Sequence, residues 1–177
     1  MPRPTSMRQP GVTLIELLVS LAVSAVLAVA AWPTIGALVA EHSAGHAADR
    51  LAASLALART TASARRAEVR LEPIHGADTL ERGWQLTVQG GTAENRAPPF
   101  SVVALQDRCL RIVLRATAGT ATTQSLRLTP VGYSRSERGG FLAATFLVRC
   151  HQAQRQVRLG AHGRIRICRP GADADCD

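Results

Sequence analysis

The chain has 177 residues, room for one medium domain and an anchor but not for two large domains. Its 46% hydrophobic and 19% charged residues exclude an intrinsically disordered chain, and aromatics at 3% leave any core to Leu, Val, Ile and Ala. All 21 basic residues are arginine, against 13 acids, and they are unevenly placed. Between Arg108 and Pro170 stand twelve arginines and one acid, Glu137, while the rest of the chain holds nine arginines and twelve acids. A C-terminal half of this kind suits nucleic acid, anionic lipid or another polyanion, or is a solvated basic face without a partner.

In chain order, residues 1–11 are polar, carry Arg3 and Arg8, and contain no acid. An apolar run follows from Val12 to Trp32, with Glu16 as its one charge. The uncharged stretch Leu17–Ala40 would make about 36 Å of helix, enough for a hydrocarbon core of about 30 Å. The basic flank precedes it, so the N-terminus is expected in the cytoplasm and the rest exported. A secretory signal cut near Ala28-Val29-Ala30, or a plain anchor, would fit the hydropathy. Neither accounts for Glu16, a carboxylate that is costly in lipid and usually marks a partner.

The segment Gly11-Val12-Thr13-Leu14-Ile15-Glu16 resembles the type III leader of type IV pilins and pseudopilins. That resemblance implies cleavage by a prepilin peptidase between Gly11 and Val12, with N-methylation of Val12. It also implies that Glu16 pairs with the methylated ammonium of a neighbouring subunit and so sets register in assembly. Val12 departs from the family's usual Phe. Pro33 is expected to kink or locally unwind the helix.

From Leu38 to about Glu68 the chain is Ala-rich and helix-favouring. Leu51, Leu55, Ala58 and Ala62 form one stripe, with Asp49, Arg50, Arg59 and Arg66 largely off it. His42 and His46 stand one turn apart, without a further ligand at useful spacing. Beyond residue 68 short runs alternate with turn signals. They predict strands at Glu68–Leu71, Trp84–Gln89, Phe100–Leu105, Leu110–Leu114, Ser125–Leu128, Phe141–Cys150, Arg155–Leu159 and Arg164–Cys168. The expected class is α+β, a long helix packed on an antiparallel head. Its expected parts are a leader (1–11), a transmembrane and assembly helix (12–39), an amphipathic half-helix (40–68) and a β-rich head (69–177).

Cys109, Cys150, Cys168 and Cys176 all lie in the exported part, an even count that suggests two disulfides with three possible connectivities. Cys109–Cys150 with Cys168–Cys176 is the favoured set. No C-x-x-C pair supports the rival, a zinc site. Hydrolase, P-loop and dinucleotide motifs are absent from the sequence, and the polar turn around Glu72, His75 and Asp78 needs no catalytic explanation. An assembly or binding protein without metal or cofactor is expected.

The last predicted strand carries Gly163-Arg164-Ile165-Arg166. Alternation would set Arg164 and Arg166 about 6–7 Å apart on one face, with Ile165 and Ile167 toward the core. Two guanidiniums so spaced could each take a phosphate, and Arg158, Arg155, Arg149 and Arg169 could widen the patch. The bland alternative is an edge strand protected by charge. Several segments resemble the GspH/FimT branch of minor pilins and pseudopilins: Leu51–Arg66, Gly83-Trp84-Gln85-Leu86, Leu128-Thr129-Pro130-Val131-Gly132, the strand ending at Cys150, and Gly163-Arg164-Ile165-Arg166. The resemblance implies a type IV pilin-like fold, partners among other pilins, and passage from the inner membrane into a pilus or pseudopilus. For FimT-like members it implies contact of Gly163, Arg164 and Arg166 with double-stranded DNA during transformation. For GspH-like members it implies a structural part in type II secretion. The acidic end from Asp173 to Asp177 works against the basic patch, and scarce aromatics argue against base stacking.

Overall fold

The computed structural model describes residues 13–89, 98–116, 124–135, 143–160 and 162–176, apart from the side chains at 30, 31, 33, 116 and 175. Gly11 and Val12, the start of the strand expected from Phe141, and the turn signals at Gly90-Gly91, Gly119 and Gly139-Gly140 lie outside the described residues. The chain divides into two compact units, Met1–Gly36 and Ala37–Asp177, and helix α1 (Leu14–Arg65) contributes to both.

In the first unit the helix start follows from Thr13. Its Oγ1 accepts the N–H of Glu16 at 3.4 Å, and its carbonyl accepts those of Glu16 and Leu17 at 3.1 and 3.2 Å. A threonine cap with an acid three residues on has the spacing of a capping box, and it sets Glu16 at the positive end of the helix dipole. The hydroxyls of Ser20 and Ser24 donate to the carbonyls of Leu17 and Ser20, so neither is left unbonded in an apolar stretch. Neither Leu14–Val29 nor Thr34–Arg65 alone is long and apolar enough to cross a membrane; by length and composition the two together are.

The second unit is built on the alanine-rich half of α1. Leu51, Leu55, Ala58 and Ala62 are all fully buried, as are Ala44, Ala47 and Ala48. They join one hydrophobic cluster with the inner faces of two antiparallel sheets. Small side chains let the helix approach those faces closely. Each fully buried Leu contributes roughly 1.5–3 kcal/mol.

Among the described residues nine strands form the sheets: β1 (Val69–Pro73), β2 (Gly83–Val88), β3 (Ser101–Ala104), β4 (Leu110–Ala116), β5 (Leu126–Leu128), β6 (Ser134–Arg135), β7 (Ala144–Cys150), β8 (Ala153–Leu159) and β9 (Ile165–Cys168). The first sheet runs β3-β2-β1-β5-β6 and the second β4-β7-β8-β9. Strand β6, two residues long, has no counterpart among the expected strands. Strand β8 begins two residues earlier than the alternation suggested.

The motif at Gly83-Trp84 is structural. Gly83 has φ +124°, and a Cβ there would fall 2.0 Å from the Val103 carbonyl oxygen. Trp84, fully buried, donates its indole N–H to Ser54 Oγ at 2.9 Å, and Ser54 donates onward to the Arg50 carbonyl. That chain satisfies the one polar atom of the largest core side chain.

Candidate functional site

Hairpin β8–β9 carries the basic turn. Leu159 pairs with Ile165 and Arg158 with Arg166. The ladder continues one step further, because the Gly160 N–H donates to the Arg164 carbonyl at 2.9 Å. Arg164 and Arg166 are therefore two residues apart on one antiparallel ladder and share a face. Gly163 closes the turn by donating to the Gly160 carbonyl at 2.8 Å.

Glycine is required at position 163. Its φ is +79°, and a Cβ would fall 2.4 Å from the Gly132 carbonyl oxygen and 3.0 Å from Arg59 Nε. Arg59, projecting from α1, donates from Nη1 to the Gly163 carbonyl at 3.0 Å. The Gly132 turn belongs to the first sheet. There the Gly132 N–H donates to the Thr129 carbonyl, and the Tyr133 ring meets His162 edge-on at 6.0 Å. Arg59 thus bonds the Gly163 turn while lying against the Gly132 turn, and the basic hairpin is fixed at its base.

Beyond the turn, strand register sets a row of side chains across all four strands of the second sheet. Arg115 pairs with Thr145, Thr145 with Arg158, and Arg158 with Arg166. The inner positions beside them, Leu114, Phe146 and Val157, are buried, so this row lies on the outer face. Strands about 4.8 Å apart put Arg115 roughly 10 Å from Arg158. Arg149 is exposed on the same face, paired directly with Arg111, which is 3.2 Å from Glu81. Among the described residues Arg164, Arg149 and Arg115 have no ion pair, while Arg158 and Arg166 are half-buried.

Two of the expected patch residues lie elsewhere. Arg155 has the same strand parity as Val157 and Leu159, so it faces inward, where its Nη2 donates to Oε1 of Glu41 on α1. Arg169 reaches the same oxygen at 2.9 Å. The hydrogen bond from Arg155, helped by the charges of Arg155 and Arg169 and opposed by desolvation, holds the Glu41 carboxyl below its ordinary 4.5. These two arginines tie the helix to the sheet and the tail, and their charge is already answered.

Ile167 is a second correction. It pairs with Val157 on the inner face, yet it is 41% exposed, because among the described residues β9 is an edge strand with no neighbour on its far side. Cys168 is buried instead, joined to Cys176 by a disulfide, while a second disulfide joins Cys109 to Cys150. That is the pairing favoured from the sequence. The backbone N–H of Arg169 donates to Asp173 at 2.6 Å, folding the acidic tail against the end of β9.

The ligand atoms of Cys109, Cys150 and His151 lie within 4.8 Å of one another, but both sulfurs are committed to the disulfide. His42 and His46 stack at 6.1 Å between ring centroids. Glu72 is engaged by Gln85 and Arg70, away from any pairing with His75.

The family model described as type II transport protein GspH matches residues 47–172. The chain belongs to the GspH family. A prokaryotic N-terminal methylation motif matches residues 6–32, spanning Gly11, Val12 and Glu16. Among solved structures, the type IV minor pilin FimU of Pseudomonas aeruginosa PAO1 superposes with a TM-score of 0.51 at 17% identity, over 70% of this chain and 87% of that one. The minor pseudopilin EpsH from the Type 2 Secretion System of Vibrio cholerae gives a TM-score of 0.51 at 17% identity, over 73% and 98%. No curated protein matches in sequence. The GspH-family chain therefore has the fold of those two structures, a long N-terminal helix packed on antiparallel sheets.

Proposed function

We propose that this GspH-family chain is a minor type IV pilin without enzymatic activity that grips the backbone of double-stranded DNA during natural transformation. The observation carrying this reading is the hairpin turn at Gly163, locked by Arg59, which presents exposed Arg164 on the same ladder as Arg166 and Arg158. Arg149 and, in place of Arg155 and Arg169, Arg115 extend the basic face. Guanidinium forks on a regular strand spacing suit phosphates whatever the base sequence. Binding is weak in one subunit and strengthened by repetition in a filament. In this reading prepilin peptidase cuts after Gly11, Val12 is methylated, and Glu16 pairs with a neighbour's amino terminus. The protein waits in the inner membrane, N-terminus in the cytoplasm, before joining other pilins in the pilus.

One observation favours a second reading, a purely structural pseudopilin of a secretion machine. Glu41 absorbs Arg155 and Arg169, and the tail brings Asp173 up beside β9, so part of the local positive charge serves the fold. The test is a titration of the head, residues 37–177, with short duplex DNA. Binding should weaken with salt at a log–log slope of about −2 to −4, as expected for two to four phosphates. Arg164→Ala with Arg166→Ala should abolish it. No binding at low salt would leave the structural reading standing.

A further inference from the structure

The exposed side of α1 carries two histidines that the DNA reading does not use. His42 and His46 stand four residues apart on a stretch whose other side is Ala44, Ala47, Ala48 and Leu51, all buried in the core cluster. At about 100° per residue, both histidines point away from that buried stripe. Both are exposed.

Their rings already lie side by side, 6.1 Å between centroids and 9° from parallel. Among the described residues neither ring makes a hydrogen bond or an ion pair, so each keeps a nitrogen lone pair for another partner. Gly45 lies on the same side of the helix, and a Cβ there would meet nothing within 4 Å, so the space over the pair is open. The charges nearby favour a cation. Asp49, three residues past His46, is exposed and has no ion pair among the described residues. Glu41 is spent on Arg155 and Arg169, and Arg50 is directed to the Ala104 carbonyl.

Side chains at i and i+4 have Cβ atoms about 5–6 Å apart, and helices present two histidines to one metal ion at this spacing. Metal–nitrogen bonds of about 2.0–2.1 Å place the two nitrogens roughly 3–3.4 Å from each other. The rings reach that separation by turning about χ2, a soft torsion, while the buried alanines hold the backbone still. A ligand pair fixed in advance loses little freedom on binding. The sequence argued against a metal for want of a third protein ligand, but two imidazoles make a chelate when water fills the other positions.

We propose that His42 and His46 chelate a divalent transition metal ion of the imidazole-preferring kind, copper(II) more tightly than nickel(II) or zinc. One nitrogen of each ring donates an electron pair to the ion, and Asp49 adds negative charge nearby. The site is independent of the Arg164 turn and of any DNA binding.

The test uses the full chain without an affinity tag, in detergent micelles, with copper(II) and then zinc as probes. Copper(II) is paramagnetic, so substoichiometric amounts should broaden the ring NMR signals of His42 and His46 before those of His75, His151 and His162. The EPR spectrum should show two nitrogen ligands on one ion per chain. Zinc should raise the thermal midpoint saturably, because it binds the folded helix and not the unfolded pair. His42→Gln and His46→Gln should each weaken binding by at least the roughly tenfold cost of losing even an outer-shell contact, and abolish the midpoint gain. His151→Gln should change neither. If a variant fails to fold, the order of broadening in the unaltered chain decides. The proposal fails if another histidine broadens first or all five broaden together. It fails equally if fewer than two nitrogens bind copper, or if either folded single variant keeps full affinity.

Discussion

Gly163 and Arg59 act as one joint, since the positive φ at one and the guanidinium of the other together set where the basic turn stands. Replacing Gly163 by Ala forces a Cβ toward the Gly132 carbonyl in a conformation that L-residues resist. Gly163→Ala should therefore cost about 1–3 kcal/mol in thermal or denaturant melts and weaken DNA binding along with stability. Arg164→Ala, at an exposed position, should change stability by no more than about 0.5 kcal/mol while weakening DNA binding. A Gly163→Ala head that melts like wild type would remove the joint from the argument. The sequence marked Gly163 as part of a motif but not its reason. Arg59 is 104 residues away and carries no local sign that it reaches this turn.

Strand parity explains what could be read in advance and what could not. Arg155, Val157 and Leu159 alternate on one face and Arg158 on the other, so the separation of Arg155 from the patch was legible in β8 itself. Arg111, Val113 and Arg115 likewise alternate outward along β4, yet only register sets Arg115 in line with Arg158 and Arg166. Register between distant strands depends on loops and on the shared helix, and no single segment encodes it. The edge position that leaves Ile167 exposed, and the two-residue β6, are equally tertiary facts. The helix stripe was fully legible because its period is local. Glu41 lies outside that stripe, and there the tie between α1 and the second sheet becomes sensitive to pH. The carboxyl titrates below its ordinary 4.5 when folded, chiefly through the hydrogen bond from Arg155. Its contribution is then complete above the unfolded-state value and fades as pH falls through the folded one. Glu41→Gln should lower the thermal midpoint near pH 7, with the gap to wild type closing below about pH 4. A gap that persists unchanged into acid would assign the tie to packing instead of charge.

At the scale of the whole molecule, both disulfides fasten the second sheet, where the arginines concentrate. Cys109–Cys150 joins the entry to β4 with the end of β7, and Cys168–Cys176 returns the tail to β9. A four-stranded sheet with Arg111, Arg115, Arg149, Arg158 and Arg166 on one face carries self-repulsion that its apolar face must offset. Covalent closure helps by restricting the unfolded chain, and in the loop-entropy account the benefit grows with loop length. The separations are 41 and 8 residues, so the two bridges should contribute roughly 4 and 2.5 kcal/mol. Paired serine variants measure this directly in the purified head. Cys109→Ser with Cys150→Ser should lower stability more than Cys168→Ser with Cys176→Ser, and the deficit should shrink in moderate salt as repulsion across the arginine face is screened. The reverse order would show that the tail contributes more by covering β9 than by closing a loop. An absence of salt dependence would mean that the basic face does not strain the sheet.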